Sequence, residues 1–139
     1  MDLVEVELVQ VVIQHKGEQQ YVHLQEKGGG RRFPIVIGYH EVEEINRKLI
    51  GQQTQRPLTH DLVGRLLRTL AWRLVRVIIT ELREGTFYAN LVVLPSDLAA
   101  GKEQERTVDC RPSDAIALAV QTAAPIFVAR EVIDEVAQG

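Results

Sequence analysis

Two short segments, well separated along the chain, place arginine and aspartate around a helix start: Arg56-Pro57-Leu58-Thr59-His60-Asp61 and Asp109-Cys110-Arg111-Pro112-Ser113-Asp114. A helix N-terminus presents unpaired backbone N–H groups and partial positive charge, a setting that suits an anion such as phosphate. Arg56 and Arg111 could hold such a group, with Ser113 as a further donor. Asp109 and Asp114 could bind Mg²⁺ or Mn²⁺, or orient a water. An unperturbed imidazole titrates near neutrality, which makes His60 the candidate for proton transfer, with Asp61 beside it. The candidate catalytic residues are therefore His60, Asp61, Asp109 and Asp114, and the candidate phosphate ligands are Arg56, Arg111 and Ser113. In one shared cleft they would supply charge neutralisation, an activated water and leaving-group protonation. The plainer alternative is that Ser113 or Asp114 caps its helix, Arg111 pairs with an aspartate as an internal clamp, and His60 is a surface histidine.

Other chemistry is weakly supported. His15, His23 and His40 lack metal-ligand spacing, and Gly28-Gly29-Gly30 lacks the strand and GxxxxGK context of a nucleotide loop. Cys110 is the single cysteine, so a disulfide within the chain is excluded and a cysteine-based zinc site is disfavoured. It reads as a small buried thiol. The N-terminal residues do not resemble a signal peptide, and no apolar run approaches a membrane span, so the expectation is a cytoplasmic protein without membrane attachment. The net charge of −3 argues against indiscriminate nucleic-acid binding. The charge is uneven, however: Arg31 to Arg83 hold ten basic and five acidic residues, whereas Glu84 onward hold four and nine. A basic middle beside an acidic end fits a phosphate-facing surface next to carboxylates, or two solvated faces of opposite sign.

The elements that must position these residues follow from periodicity. With 139 residues, 45% of them hydrophobic, residues 1–139 read as one domain without linker or repeat. Val4, Val6 and Leu8 alternate with Glu5 and Glu7, predicting a strand that continues to Ile13. A turn around Lys16-Gly17-Glu18 leads to a second strand at Tyr21–Leu24, and Phe33–Ile37 is a third, with Pro34 suited to an edge. Val42, Ile45 and Leu49 mark a helix ended by Gly51, while Glu41 and Glu44 fall on its solvated side. Thr59 could cap the next helix, with the apolar stripe Leu62, Val63, Leu66, Leu67 and Leu70. Leu74–Leu82 and Thr86–Leu94 form a hairpin about Arg83-Glu84-Gly85. A polar loop, Ser96–Glu105, precedes a short strand at Arg106–Cys110. Ser113 to about Ala123 is apolar almost all round and should be buried. A last strand at Pro125–Val128 and a small helix at Arg130–Ala137 follow. Hairpins with interspersed helices predict an α+β fold with a mixed, mostly antiparallel sheet and about four helices.

Three segments resemble the bifunctional nuclease family: Arg56-Pro57-Leu58-Thr59-His60-Asp61-Leu62, Asp109-Cys110-Arg111-Pro112-Ser113-Asp114 running on to Ala119, and Pro34-Ile35-Val36-Ile37-Gly38 followed by Glu41 and Ile45. The hairpin strand Gly85–Leu91 also fits. The resemblance implies an enzyme acting on both RNA and DNA, without naming catalytic residues, and Glu41 enters as a possible further carboxylate. The leading reading is a divalent-metal-assisted phosphodiesterase with little sequence preference, self-associating as a homodimer. The rival is a non-catalytic module whose motifs build a dimer interface or bind a small anion.

Overall fold

A computed structural model describes residues 1–15, 17–97 and 99–137. β1 (Leu3–Val12), β2 (Gln20–Glu26) and β3 (Arg32–Ile37) form one antiparallel meander, followed by α1 (Tyr39–Ile50) and α2 (Thr59–Thr69). β4 (Trp72–Arg83), β5 (Thr86–Pro95) and β6 (Arg106–Cys110) form a second. α3 (Pro112–Thr122) then carries the chain to β7 (Ile126–Ala129), and α4 (Arg130–Val136) follows. β7 joins the two meanders, antiparallel to β1 and parallel to β4, in a seven-stranded sheet of order β3-β2-β1-β7-β4-β5-β6. With four α-helices and one parallel pair in an otherwise antiparallel sheet among the described residues, the fold is α+β in a single domain.

Local chemistry explains these elements. The turn between β4 and β5 consists of Glu84 and Gly85, with φ of 51° and 78°. Positive φ at both central residues is what a two-residue type I′ hairpin requires, and it matches the twist of the strands. Gly51 ends α1 in the left-handed conformation, φ 71°. Pro34 sits on edge strand β3, where its missing N–H costs no sheet hydrogen bond. Of the predicted turn at residues 16–18, Lys16 lies outside the described residues. Within it the Glu18 N–H bonds the His15 carbonyl at 2.9 Å. The polar loop includes Leu98, also outside the described residues, and one 3-10 turn at Lys102–Gln104.

Cross-strand pairing lines up the core. Val6, Ile126, Val77 and Leu91 form one buried row across four strands, while Val128, Ile79 and Ala89 form the next. α3 packs against β4 and β5, with α1 beside it against β1 and β2. Its Ala115, Ile116, Ala117, Leu118 and Ala119 are all buried, as its lack of a polar face predicted. The Arg106–Cys110 strand is the opposite edge of the sheet and is mostly exposed. Among the described residues no helix is long and apolar enough to cross a membrane.

Three expectations are corrected. The stripe on α2 is only partly used: Val63 and Leu67 pack against the core, but Leu62, Leu66 and Leu70 are 52%, 51% and 65% exposed. A single helix meets its neighbours along a line, and the predicted arc of leucines is wider than that line. Leu49, grouped with Val42 and Ile45, is likewise exposed. Thr59 does not cap α2: the N-cap is Leu58, and Asp61, three residues on, accepts the Leu58 N–H at 2.9 Å.

Leu118 sits in the core at 2% exposure. Leu118→Asp buries an unpaired charge there, with an expected cost of about 4 kcal/mol or more in urea denaturation. A melting temperature within a degree or two of wild type would contradict this placement.

Candidate functional site

The first turns of α2 and α3 meet. His60, the second residue of α2, lies with its Nε2 3.0 Å from Asp114 Oδ1. Asp114 is in the first turn of α3, so the two segments singled out by sequence form one cluster. The His60 side chain is only 14% exposed, which removes the surface-histidine reading. An ionised carboxylate only accepts, so the tautomer with its proton on Nε2 fits this contact.

Asp114 also clamps Arg111. The guanidinium donates from Nε to Oδ2 at 3.1 Å and from Nη2 to Oδ1 at 3.0 Å, and the Arg111 backbone N–H reaches Oδ2 at 3.2 Å. Arg111 Nη1 extends to Glu41 of α1 at 3.3 Å. Glu41 lies over Gly38, where any side chain would collide with its carboxylate. Gly38 and Glu41 of the third segment thus belong to the same cluster as the other two. Burial opposes ionisation of Asp114, but hydrogen bonds from Arg111 and His60 outweigh it and hold its pKa below the ordinary carboxylate value.

On its other side His60 faces α1, with Nδ1 3.7 Å from Glu44 Oε1. Glu44 is bound by Arg47 at 2.5 Å and lies 3.6 Å from Lys48. Lys48 in turn bonds Asp61. That bond, and the Leu58 N–H, hold the Asp61 pKa low. An unbroken chain of ionisable groups therefore runs from Glu41 through Arg111, Asp114, His60, Glu44 and Lys48 to Asp61. Behind it, Gln121 of α3 donates Nε2 to the His60 carbonyl at 3.1 Å. A side chain at Gly64 would strike that amide, so the glycine admits the contact.

The remaining candidates are placed differently. Arg56 does not touch His60 but lines an adjoining cleft with Asp61. Ser113 is buried at 6% exposure and makes no side-chain cap, so it lies on the inward side of α3. Asp109 is exposed on edge strand β6, opposite Asn90, and forms no ion pair or side-chain hydrogen bond among the described residues. Burial, with Asp114 and Asp109 nearby, pushes the Cys110 thiol up to about 12, an inert thiol rather than a nucleophile.

Glu44 was the missed residue, since its i,i+4 relation to Lys48 reads as a surface pair. The available signal was Glu41, Glu44, Ile45 and Lys48 at i, i+3, i+4 and i+7, charged residues sharing a stripe with a core isoleucine. Among the described residues no three His, Cys, Asp or Glu side chains are grouped to hold a metal ion. Both oxygens of Asp114 are engaged, and Asp109 stands apart, so the predicted metal pair does not form a site as arranged.

Because its pKa is lowered, Asp114 adds stability that is fully present above its unfolded value near 3.8 and is lost as pH falls through the folded value. Asp114→Asn should therefore cost about 1–3 kcal/mol at pH 7. In urea titrations the gap to wild type should narrow as pH falls below about 3.8, where the unfolded chain takes up a proton that the folded carboxylate still refuses. A gap unchanged by pH would show that Asp114 contributes nothing as an ion.

The sequence of residues 22–138 matches the bifunctional nuclease domain. Two uncharacterized proteins of Mycobacterium tuberculosis, from strains CDC 1551 / Oshkosh and H37Rv, are each 36% identical over 129 residues, covering 93% of this chain and 73% of theirs. The three segments that meet around Asp114 all fall within the matched region, and this chain belongs to the bifunctional nuclease domain family.

Proposed function

We propose that the protein, residues 1–139 taken as one domain, is a nuclease hydrolysing phosphodiester bonds of RNA and DNA with little sequence preference. The observation carrying this reading is that three segments distant in sequence converge on the Arg111–Asp114–His60 contact. In this reading water adds to phosphorus, the bond to the leaving oxygen breaks, and that oxygen takes up a proton. His60 handles the proton and Asp114 orients its ring. Arg111 remains 62% exposed while paired, so its guanidinium faces the solvent through which a strand would approach. A divalent metal, Mg²⁺ or Mn²⁺, is part of the proposal without a preformed site. Magnesium is commonly held by one or two carboxylates together with substrate phosphate, so its requirement is tested with substrate present. The cytoplasm is the proposed compartment, in keeping with a free Cys110 thiol.

The test is cleavage of labelled RNA and DNA by highly purified protein, with and without EDTA, beside a His60→Gln variant. Cleavage should fall at least ~100-fold in the variant, the usual scale of general acid–base catalysis, while the glutamine amide keeps an N–H for Asp114 and so holds the melting temperature near that of wild type. Equal cleavage by both proteins would remove His60 from the mechanism.

A non-catalytic interaction module is the second reading, favoured by the exposed leucines of α2. Leu62 and Leu66 stand one turn apart on the helix, and the capping residues Leu58 and Leu70 add exposed apolar surface at its two ends. Such a surface can pack against its own copy across a two-fold axis, and a homodimer is compatible with both readings. Light scattering at tens of micromolar should give about twice the 15.6 kDa chain mass. Leu62→Glu with Leu66→Glu should return it to one chain. A wild-type mass of one chain would count against the dimer.

A further inference from the structure

Next to the His60 cluster, α1, the 51–58 connection and α2 enclose a cleft of about 410 Å³, within the range of small-ligand pockets. Arg56, Arg65 and Arg68 line it, all exposed, and none makes an ion pair among the described residues. The two carboxylates of the cleft, Glu44 and Asp61, are already matched by Arg47 and Lys48. Arg65 acts on Asp61 at longer range, but all three guanidiniums keep their N–H donors for an anion. Deeper in the wall two buried acceptors make no hydrogen bond: Gln121 Oε1, and Glu44 Oε1, which has only the longer approaches of Lys48 at 3.6 Å and His60 at 3.7 Å. Glu44 is 6% exposed, and a buried acceptor without a donor is destabilising.

Free guanidiniums and buried acceptors together suit a ligand that is anionic at one end and carries O–H or N–H donors at the other. A bare phosphate ion satisfies only the first requirement. We infer that this cleft binds one nucleotide unit, its phosphate held by Arg56, Arg65 and Arg68 and its sugar hydroxyl or base N–H groups meeting Glu44 and Gln121. The choice of a nucleotide over other donor-bearing phosphates rests on the nuclease reading. The position agrees with it. Glu44 faces the His60 ring and Gln121 bonds the His60 carbonyl, so a nucleotide seated here lies beside the proton-transfer pair.

Calorimetric titration of the full chain in EDTA with adenosine 5′-monophosphate, inorganic phosphate and adenosine separates these requirements. The nucleotide should bind at least ~10-fold more tightly than either fragment, as expected when phosphate and donor contacts act together. Arg65→Gln with Arg68→Gln alters exposed side chains, and should weaken nucleotide binding by at least ~10-fold, the scale of a lost charged contact. Gln121→Leu, checked for an unchanged melting temperature, should weaken the nucleotide and leave inorganic phosphate unaffected. A nucleotide that binds no better than phosphate, that ignores the arginine pair, or that fails to saturate at millimolar concentration would overturn the inference. Binding is read without cleavage, so a protein that binds as predicted but cuts nothing loses the nuclease reading and keeps this site. A protein that cuts normally while the nucleotide ignores the arginine pair keeps the nuclease reading and loses the site.

Discussion

The Asp114 carboxylate is the junction on which the arrangement of three helices depends. It is part-buried, and a carboxylate in that position is stable only when its lone pairs are filled. The donors come from two places: the Arg111 side chain and backbone at its own helix start, and the His60 ring at the start of α2. Arg111 then carries the connection to Glu41 on α1. Removing the carboxylate would leave an enclosed imidazole and an arginine without their shared hydrogen-bond acceptor. That asymmetry is why the interaction constrains its surroundings more than its own net free energy suggests.

The same logic explains why polar groups occupy the seam between α1, α2 and α3. The hydrophobic faces of α1 and α3 meet deeper down, where Val42, Ile45 and the α3 alanines are buried. Above them Glu44 is fixed by Arg47, and Lys48 joins α1 to Asp61 of α2. α2 has little apolar purchase on the body, since only Val63, Leu67 and the small Gly64 turn inward. Its attachment relies on His60, Asp61 and the Gln121 amide as much as on packing. A helix held by polar contacts at its start is placed accurately there, and that is the end where the candidate chemistry resides.

Much of this was readable from the residues. Strand alternation, the Glu84-Gly85 turn, the glycine end of α1 and the all-apolar α3 each rest on one local rule, and each appears where that rule put it. The two helix starts were also legible as candidates, because each sets arginine and aspartate beside free backbone N–H groups, although capping accounted for the same residues. What escaped was anything decided by which side of a helix meets its neighbour. Glu44 and Leu66 illustrate the failure in opposite directions: a charge is buried because α3 and α2 cover that side of α1, and a leucine is exposed because no described residue covers that side of α2. Asp109 and Ser113 escaped for a related reason. Their spacing from Asp114 was favourable, but strand alternation and helical rotation turn them away from it.

Helix capping and site chemistry looked like rival accounts of these aspartates, yet a carboxylate has two oxygens and can serve both. Asp61 uses Oδ2 for the Leu58 N–H and Oδ1 for Lys48 of a different helix. Asp114 uses Oδ2 for the Arg111 N–H and offers Oδ1 to His60. In each case the bond to the N-cap amide fixes the rotamer, and the fixed rotamer aims the second oxygen across the helix seam. A serine or threonine cap satisfies the backbone and then has no second anionic oxygen to offer. An aspartate three residues into the helix therefore does what an N-cap side chain cannot: it ties the local start of the helix to a partner elsewhere in the fold. The structural role positions His60 and Arg111, and for that reason it is a condition of the proposed chemistry rather than an alternative to it.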